Sequence, residues 1–136
     1  MQAKAKLVIK SAEERSFGDA TNAPKLGKYS AIVAYEGDLV GEGTVAELKT
    51  YLRRNFSMIY GLERFRGRLG EKSGTFVFQR TGKVEENVLT MRWDIIPHSG
   101  TGDLKNLIGA VQVQGEPGAK EFSIALEYEL DGATVV

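Results

Sequence analysis

The stretch Tyr60–Gly82, YGLERFRGRLGEKSGTFVFQRTG, decides how the rest of the chain is read. Glycines at 61, 67, 70, 74 and 82 punctuate it, and Phe65, Leu69, Phe76 and Phe78 supply its apolar side chains. With Gly70-Glu71-Lys72-Ser73 as a turn, it reads as a β-hairpin. Alternation along a strand places Glu63 on the same face as Phe65 and Leu69, together with Gly61 and Gly67. A carboxylate among apolar neighbours is the feature that needs a chemical reason.

Similar strands run outward from this hairpin in both directions. Lys4–Phe17 alternates, with Leu7, Ile9 and Ser11 on one side and Val8 and Lys10 on the other. Gly18–Gly27 is a loop, and Lys28–Val40 is a strand rich in aromatic and β-branched residues. Glu86–Pro97, Leu107–Gln114 and Lys120–Leu130 complete the alternating runs, joined by short turns that contain glycine. Val45–Arg54 is ambiguous on local signals. Thr44-Val45-Ala46-Glu47 fits a helix capping box with Val45, Leu48 and Leu52 at helical spacing, yet the same residues also alternate as a strand.

At 136 residues the sequence suits one domain with a real core. Eighteen basic residues balance eighteen acidic ones, so nothing points to a nucleic acid. Basic residues cluster at Arg53–Arg54 and at Arg64, Arg66 and Arg68, and with the acids Glu63 and Glu71 about the second group it reads as a solvated face. The absence of cysteine excludes disulfides and thiolate chemistry. A single histidine, His98, excludes a histidine-cluster metal site. No apolar run approaches a bilayer span and the N-terminus carries no signal-peptide pattern, so the expected setting is cytoplasmic, away from membranes. The loops Ser99–Asp103 and Gly70–Ser73 lack phosphate-loop spacing and are turns.

Counting Val45–Arg54 as a strand gives eight antiparallel strands with no helical crossover. An up-and-down barrel removes the exposed edges of such a sheet. The motifs Gly61-Leu62-Glu63-Arg64-Phe65-Arg66-Gly67, Ser73-Gly74-Thr75-Phe76 and Ser99-Gly100-Thr101-Gly102-Asp103-Leu104 add a family resemblance. With Gly37-Asp38-Leu39-x-Gly41, their order resembles a bacterial family of small domains without assigned activity, similar in fold to the allene oxide cyclase and dirigent barrels. The resemblance implies that Val45–Arg54 is a strand and that the fold is an all-β, eight-stranded, allene oxide cyclase-like barrel. It also implies a lumen suited to apolar molecules, no metal or organic cofactor, and assembly as a homo-oligomer, dimer or trimer. His98 departs from the pattern, since many relatives have glycine there.

The site candidates rest on chemistry. Facing an apolar lumen, Glu63 would have its pKa raised by desolvation, which suits an acid or base. Otherwise it pairs with an arginine such as Arg92 or lies outside the barrel. Tyr35, Tyr60 and Tyr128 are candidates to orient a ligand carbonyl or hydroxyl, with Phe65 and Arg92 beside them in the ligand-binding set. Arg92 and Trp93 adjoin on one strand and face opposite sides. Three functions are open on these residues: a barrel holding a small apolar or amphipathic molecule, a cofactor-free isomerase or cyclase using Glu63 catalytically, or a packed barrel acting through its surface.

Overall fold

The computed structural model describes residues 1–130. It is a closed antiparallel barrel in which each strand pairs with its sequence neighbours. The strands are β1 (Gln2–Phe17), β2 (Lys25–Gly37), β3 (Leu39–Arg53), β4 (Phe56–Leu69), β5 (Lys72–Glu85), β6 (Val88–Ile95), β7 (Ile108–Gly115) and β8 (Glu121–Glu129). A single turn of 3-10 helix, Gly102–Leu104, lies between β6 and β7. Closure is made by β1 against β8, from Gln2 opposite Glu127 to Val8 opposite Glu121. Up-and-down connectivity is therefore complete, and both strand edges that an open sheet would expose are paired.

The ambiguous segment is strand as far as Arg53, and Arg54 lies in the turn that follows. Thr44 faces Ile32 on β2 and Arg64 on β4, and Leu48 faces Lys28 and Tyr60. A helix there would leave the edges of β2 and β4 unsatisfied, so ladder pairing on both sides overrides the local capping signal.

Alternation sorts the side chains as expected for a barrel with a filled interior. Odd-numbered residues of β4 point inward and even-numbered ones outward. One departure comes on β1, where the register with β2 shifts between Ile9 and Ser11. This bulge at Lys10 reverses the parity of the later residues of β1, so Ser11 does not continue the inward row of Leu7 and Ile9. Ala12 and Glu14 instead face Ala31 and Tyr29 across the ladder.

One half of the lumen is solid. Tyr35 meets Phe65 edge-on at 5.4 Å, Phe65 stacks on Phe76 at 4.9 Å, and Phe78 lies at 5.0 Å from Phe76. Trp93 completes the row at 5.6 Å from Phe78. The β6–β7 connection closes this end. β6 pairs with β5 only from Phe78 onward, so the exposed start of β5 bonds the loop instead. Ser73 N–H donates to Asp103, Thr75 N–H to Thr101 Oγ1 and Val77 N–H to Ser99 Oγ, at 3.0–3.1 Å. Gly74 lies so close to this loop that a Cβ would come 2.0 Å from the Thr101 carbonyl oxygen. Leu104 and Leu107, both buried, cap the aromatic row. The S-G-T-G-D-L motif thus serves as a surrogate strand and plug. His98 stands at its entrance with φ +69°, exposed, a conformation that glycine adopts without a Cβ penalty.

Replacing Phe76 by Ala should cost about 3–5 kcal/mol, because a buried ring is removed from a packed row. Tyr60→Ala, on the outer wall, should cost less than about 1 kcal/mol. Urea denaturation of both variants measures the contrast, and equal losses would contradict the inward–outward assignment.

Candidate functional site

Glu63 faces inward and is fully buried. Its Oε2 accepts a hydrogen bond of 2.5 Å from the Tyr35 hydroxyl, and its Oε1 one of 2.8 Å from Arg80 Nη1. Arg80 projects from β5 on the same face as Phe76 and Phe78, which alternation requires. Its Nε also comes within 3.0 Å of Glu47 Oε2. The N–H does not point along that line, so the contact is an ion pair without a formal hydrogen bond. The guanidinium sits 4.2 Å from the Trp93 ring centroid, which adds a cation–π contact. Tyr35, Glu63, Arg80, Glu47 and Trp93 therefore form one buried polar unit above the aromatic row.

Glycines make the space for these carboxylates. A Cβ on Gly43 would lie 2.1 Å from Glu63 Oε2, and one on Gly61 would lie 2.7 Å from Glu47 Cγ and 2.2 Å from the Ala46 carbonyl oxygen. Each acid lies in the recess left by a missing side chain on the adjacent strand. A third case stands nearer the mouth, where a Cβ on Gly27 would come 2.8 Å from Glu14 Oε2. Glu14 accepts from the Tyr51 hydroxyl and pairs with Lys49 at 3.0 Å, and Lys49 lies over the Tyr29 ring. Burial works to raise the Glu14 carboxyl, but Tyr51 and Lys49 together hold it below the ordinary value.

Burial is also the largest influence on Glu63, and it raises the carboxyl above the ordinary value. Arg80 and Tyr35 work against that rise, and Glu47 adds to it. Burial, then the Glu63 charge, pushes the Tyr35 hydroxyl well above its usual range, so it stays a neutral donor. The unit is a charge network in which each ionised group has an opposite charge beside it. A lone buried ion would be far more costly.

Beyond Arg80 the lumen opens. A cavity of about 520 Å³ reaches from Arg80 and Glu47 to the mouth. Ile9, Ile59, Val84, Leu89, Met91 and Phe122 wall it, and Lys10, Lys49 and the Pro117–Lys120 turn edge it. A deeper recess of about 30 Å³ runs beside Trp93, Tyr29 and Arg80. Trp93 Nε1–H is buried with no hydrogen-bond partner among the described residues.

The expected site residues separate accordingly. Glu63, Tyr35 and Phe65 are inside, but they lie in or beneath the polar unit and do not line the large cavity. Tyr60 and Arg92 are corrections. Tyr60 belongs to the even, outward row of β4 and lies exposed near Leu48, Met58 and Leu62 on the outer wall. Arg92 points outward because its neighbour Trp93 points in, and its partner is Asp94 at 2.9 Å, so it does not pair with Glu63. Tyr128 packs at the closed end of the barrel, where its backbone N–H donates to the Met1 carbonyl, away from the cavity. Sequence reasoning missed Arg80, Glu47 and Tyr29. The signal is present for all three, since Arg80 alternates with Phe76 and Phe78, Glu47 with Val45, and Tyr29 with Ala31, Val33 and Tyr35.

Comparison with known proteins agrees with this architecture. A family model described as protein of unknown function (DUF3224) matches residues 3–128. The chain belongs to the DUF3224 family. A solved DUF3224 structure of unknown function from Shewanella oneidensis MR-1 superposes with a TM-score of 0.75 at 19% identity, covering 95% of this chain and 97% of that one. At that identity the likeness shows the shared barrel. No curated protein matches the sequence. Among the described residues of this DUF3224 barrel, no group of three or more His, Cys, Asp or Glu side chains is placed to hold a metal ion, and no helix is long and apolar enough to cross a membrane.

Two outcomes are expected. Gly43→Ala should destabilise the protein by about 1–3 kcal/mol in thermal or urea melts, since its methyl displaces the Glu63 carboxylate. Because the Glu63 carboxyl is raised in the native state, that state takes up its proton at a higher pH than the unfolded chain, near 4.5. Ionised Glu63 thus weighs against folding at neutral pH, and the penalty fades as pH falls through the raised native value. The stability of the wild type relative to Glu63→Gln should therefore rise as pH is lowered from neutral toward 4.5. A flat difference across that window would assign Glu63 an ordinary carboxyl.

Proposed function

We propose that this protein is a binding barrel that takes a small amphipathic molecule into the open half of its lumen. The observation that carries this reading is the cavity of about 520 Å³ with apolar walls and the Arg80–Glu47 pair at its floor. Ligand sites typically enclose about 300–1,000 Å³ and combine apolar lining with a few fixed polar groups. The solid half supports the open half by holding those polar groups still.

Binding is favoured over cofactor-free isomerisation by the position of Glu63. Both of its oxygens are engaged by Tyr35 and Arg80, and it does not border the cavity. Its part in this reading is to fix Arg80, as a positioning residue.

Titration with N-phenyl-1-naphthylamine, an apolar dye that brightens out of water, tests the proposal. Saturable binding at one site per chain is expected, and Leu89→Trp, which fills the mouth, should weaken it by about tenfold or more. Absence of saturable binding, or binding that Leu89→Trp leaves unchanged, would remove the lumen as the site.

A further inference from the structure

The floor of the cavity presents a hydrogen-bond donor and an acceptor of opposite charge side by side. Arg80 donates Nη1 to Glu63 and holds Nε in an ion pair with Glu47 Oε2 that lacks hydrogen-bond geometry, and among the described residues its Nη2 has no hydrogen-bond partner. Glu47 meets Arg80 only through Oε2, and among the described residues its Oε1 has no hydrogen-bond partner. Both residues are more than nine-tenths buried, yet both border the cavity. Trp93, whose buried indole N–H has no hydrogen-bond partner among the described residues, lines the deeper recess with Arg80.

A ligand head buried on this floor must satisfy both groups. A carboxylate would pair with Arg80 but meet Glu47, with Glu63 immediately behind it. An ammonium would pair with Glu47 but offer nothing to Arg80 or the indole N–H, and Lys10, Lys49 and Lys120 stand along the same cavity. A neutral amide-type group, whose C=O accepts while its N–H donates, leaves no charge unmatched. Burying a polar group without its partner is what a site of this kind rejects.

We propose that the lumen selects amphipathic molecules with a neutral amide, lactam or imide head, the C=O directed to Arg80 and the N–H to Glu47, with the apolar part against the Ile9, Val84, Leu89 and Phe122 walls. This assignment rests on the lumen being a binding site.

The test uses one apolar body with four heads: 4-butylbenzamide, 4-butylbenzoate, 4-butylbenzylammonium and butylbenzene, each displacing N-phenyl-1-naphthylamine from the wild-type protein. The benzamide should bind at least about tenfold more tightly than the charged pair and than butylbenzene. In Glu47→Gln, checked for an unchanged circular dichroism spectrum, the acceptor loses its charge and the repulsion toward anions falls. The benzoate should then gain about tenfold relative to the benzamide. Equal affinities for all four heads, or an unchanged benzoate-to-benzamide ratio in Glu47→Gln, would overturn the head-group assignment while leaving a binding lumen. Failure of all four, and of the dye, would overturn the lumen reading and this inference with it.

Discussion

The buried pair between Arg80 and Glu63 is the constraint around which the barrel interior is arranged. Two charges placed inside a lumen of aromatic and aliphatic side chains lose their hydration, and the loss is tolerated only when each finds partners. Here the partners are all supplied by neighbouring strands: Tyr35 from β2, Glu47 from β3 and Trp93 from β6. Room for the carboxylates requires the side chains at positions 43 and 61 to be missing. A polar unit with this many simultaneous requirements ties the register of β2 through β6 together, since a slip of one residue would send each member to the opposite face.

That unit also divides the lumen. On one side the aromatic row and the Leu104–Leu107 plug leave no useful space, so this half contributes stability. On the other side the bulge at Lys10 and the β7–β8 turn border a cavity whose floor is Arg80 and Glu47. A rigid floor beneath an open chamber is the arrangement that binding with a defined orientation needs, because its polar groups are ordered before the ligand arrives. The glycine-rich loop after β6 spends its donors and acceptors on the exposed start of β5.

Much of this is legible in residue order. Alternation along β4 identifies Glu63 as an inward carboxylate, and the same rule applied to β5 and β3 identifies Arg80 and Glu47. They escape notice because a charged residue near the end of an apolar row ordinarily marks where the strand leaves the core. Tyr60, expected to orient a ligand, and Arg92, expected to pair with Glu63, fall on the outer rows of β4 and β6, opposite in parity to Glu63 and Trp93.

The sequence by itself determined seven of the eight strands, most of the turns and the inward faces of most strands, because each comes from a period of two and from glycine placement. Its local signals left Val45–Arg54 between helix and strand, since capping and alternation were both satisfied, and the family resemblance is what pointed to a strand. Only the tertiary structure decided that segment, through ladder pairing on both sides, and only it showed the parity reversal at Lys10, which depends on the register with β2. The partner of Glu63 was likewise a tertiary fact. Arg80 is 17 residues away along the chain, and nothing in spacing selects it until β4 and β5 are paired and the lumen they enclose excludes water.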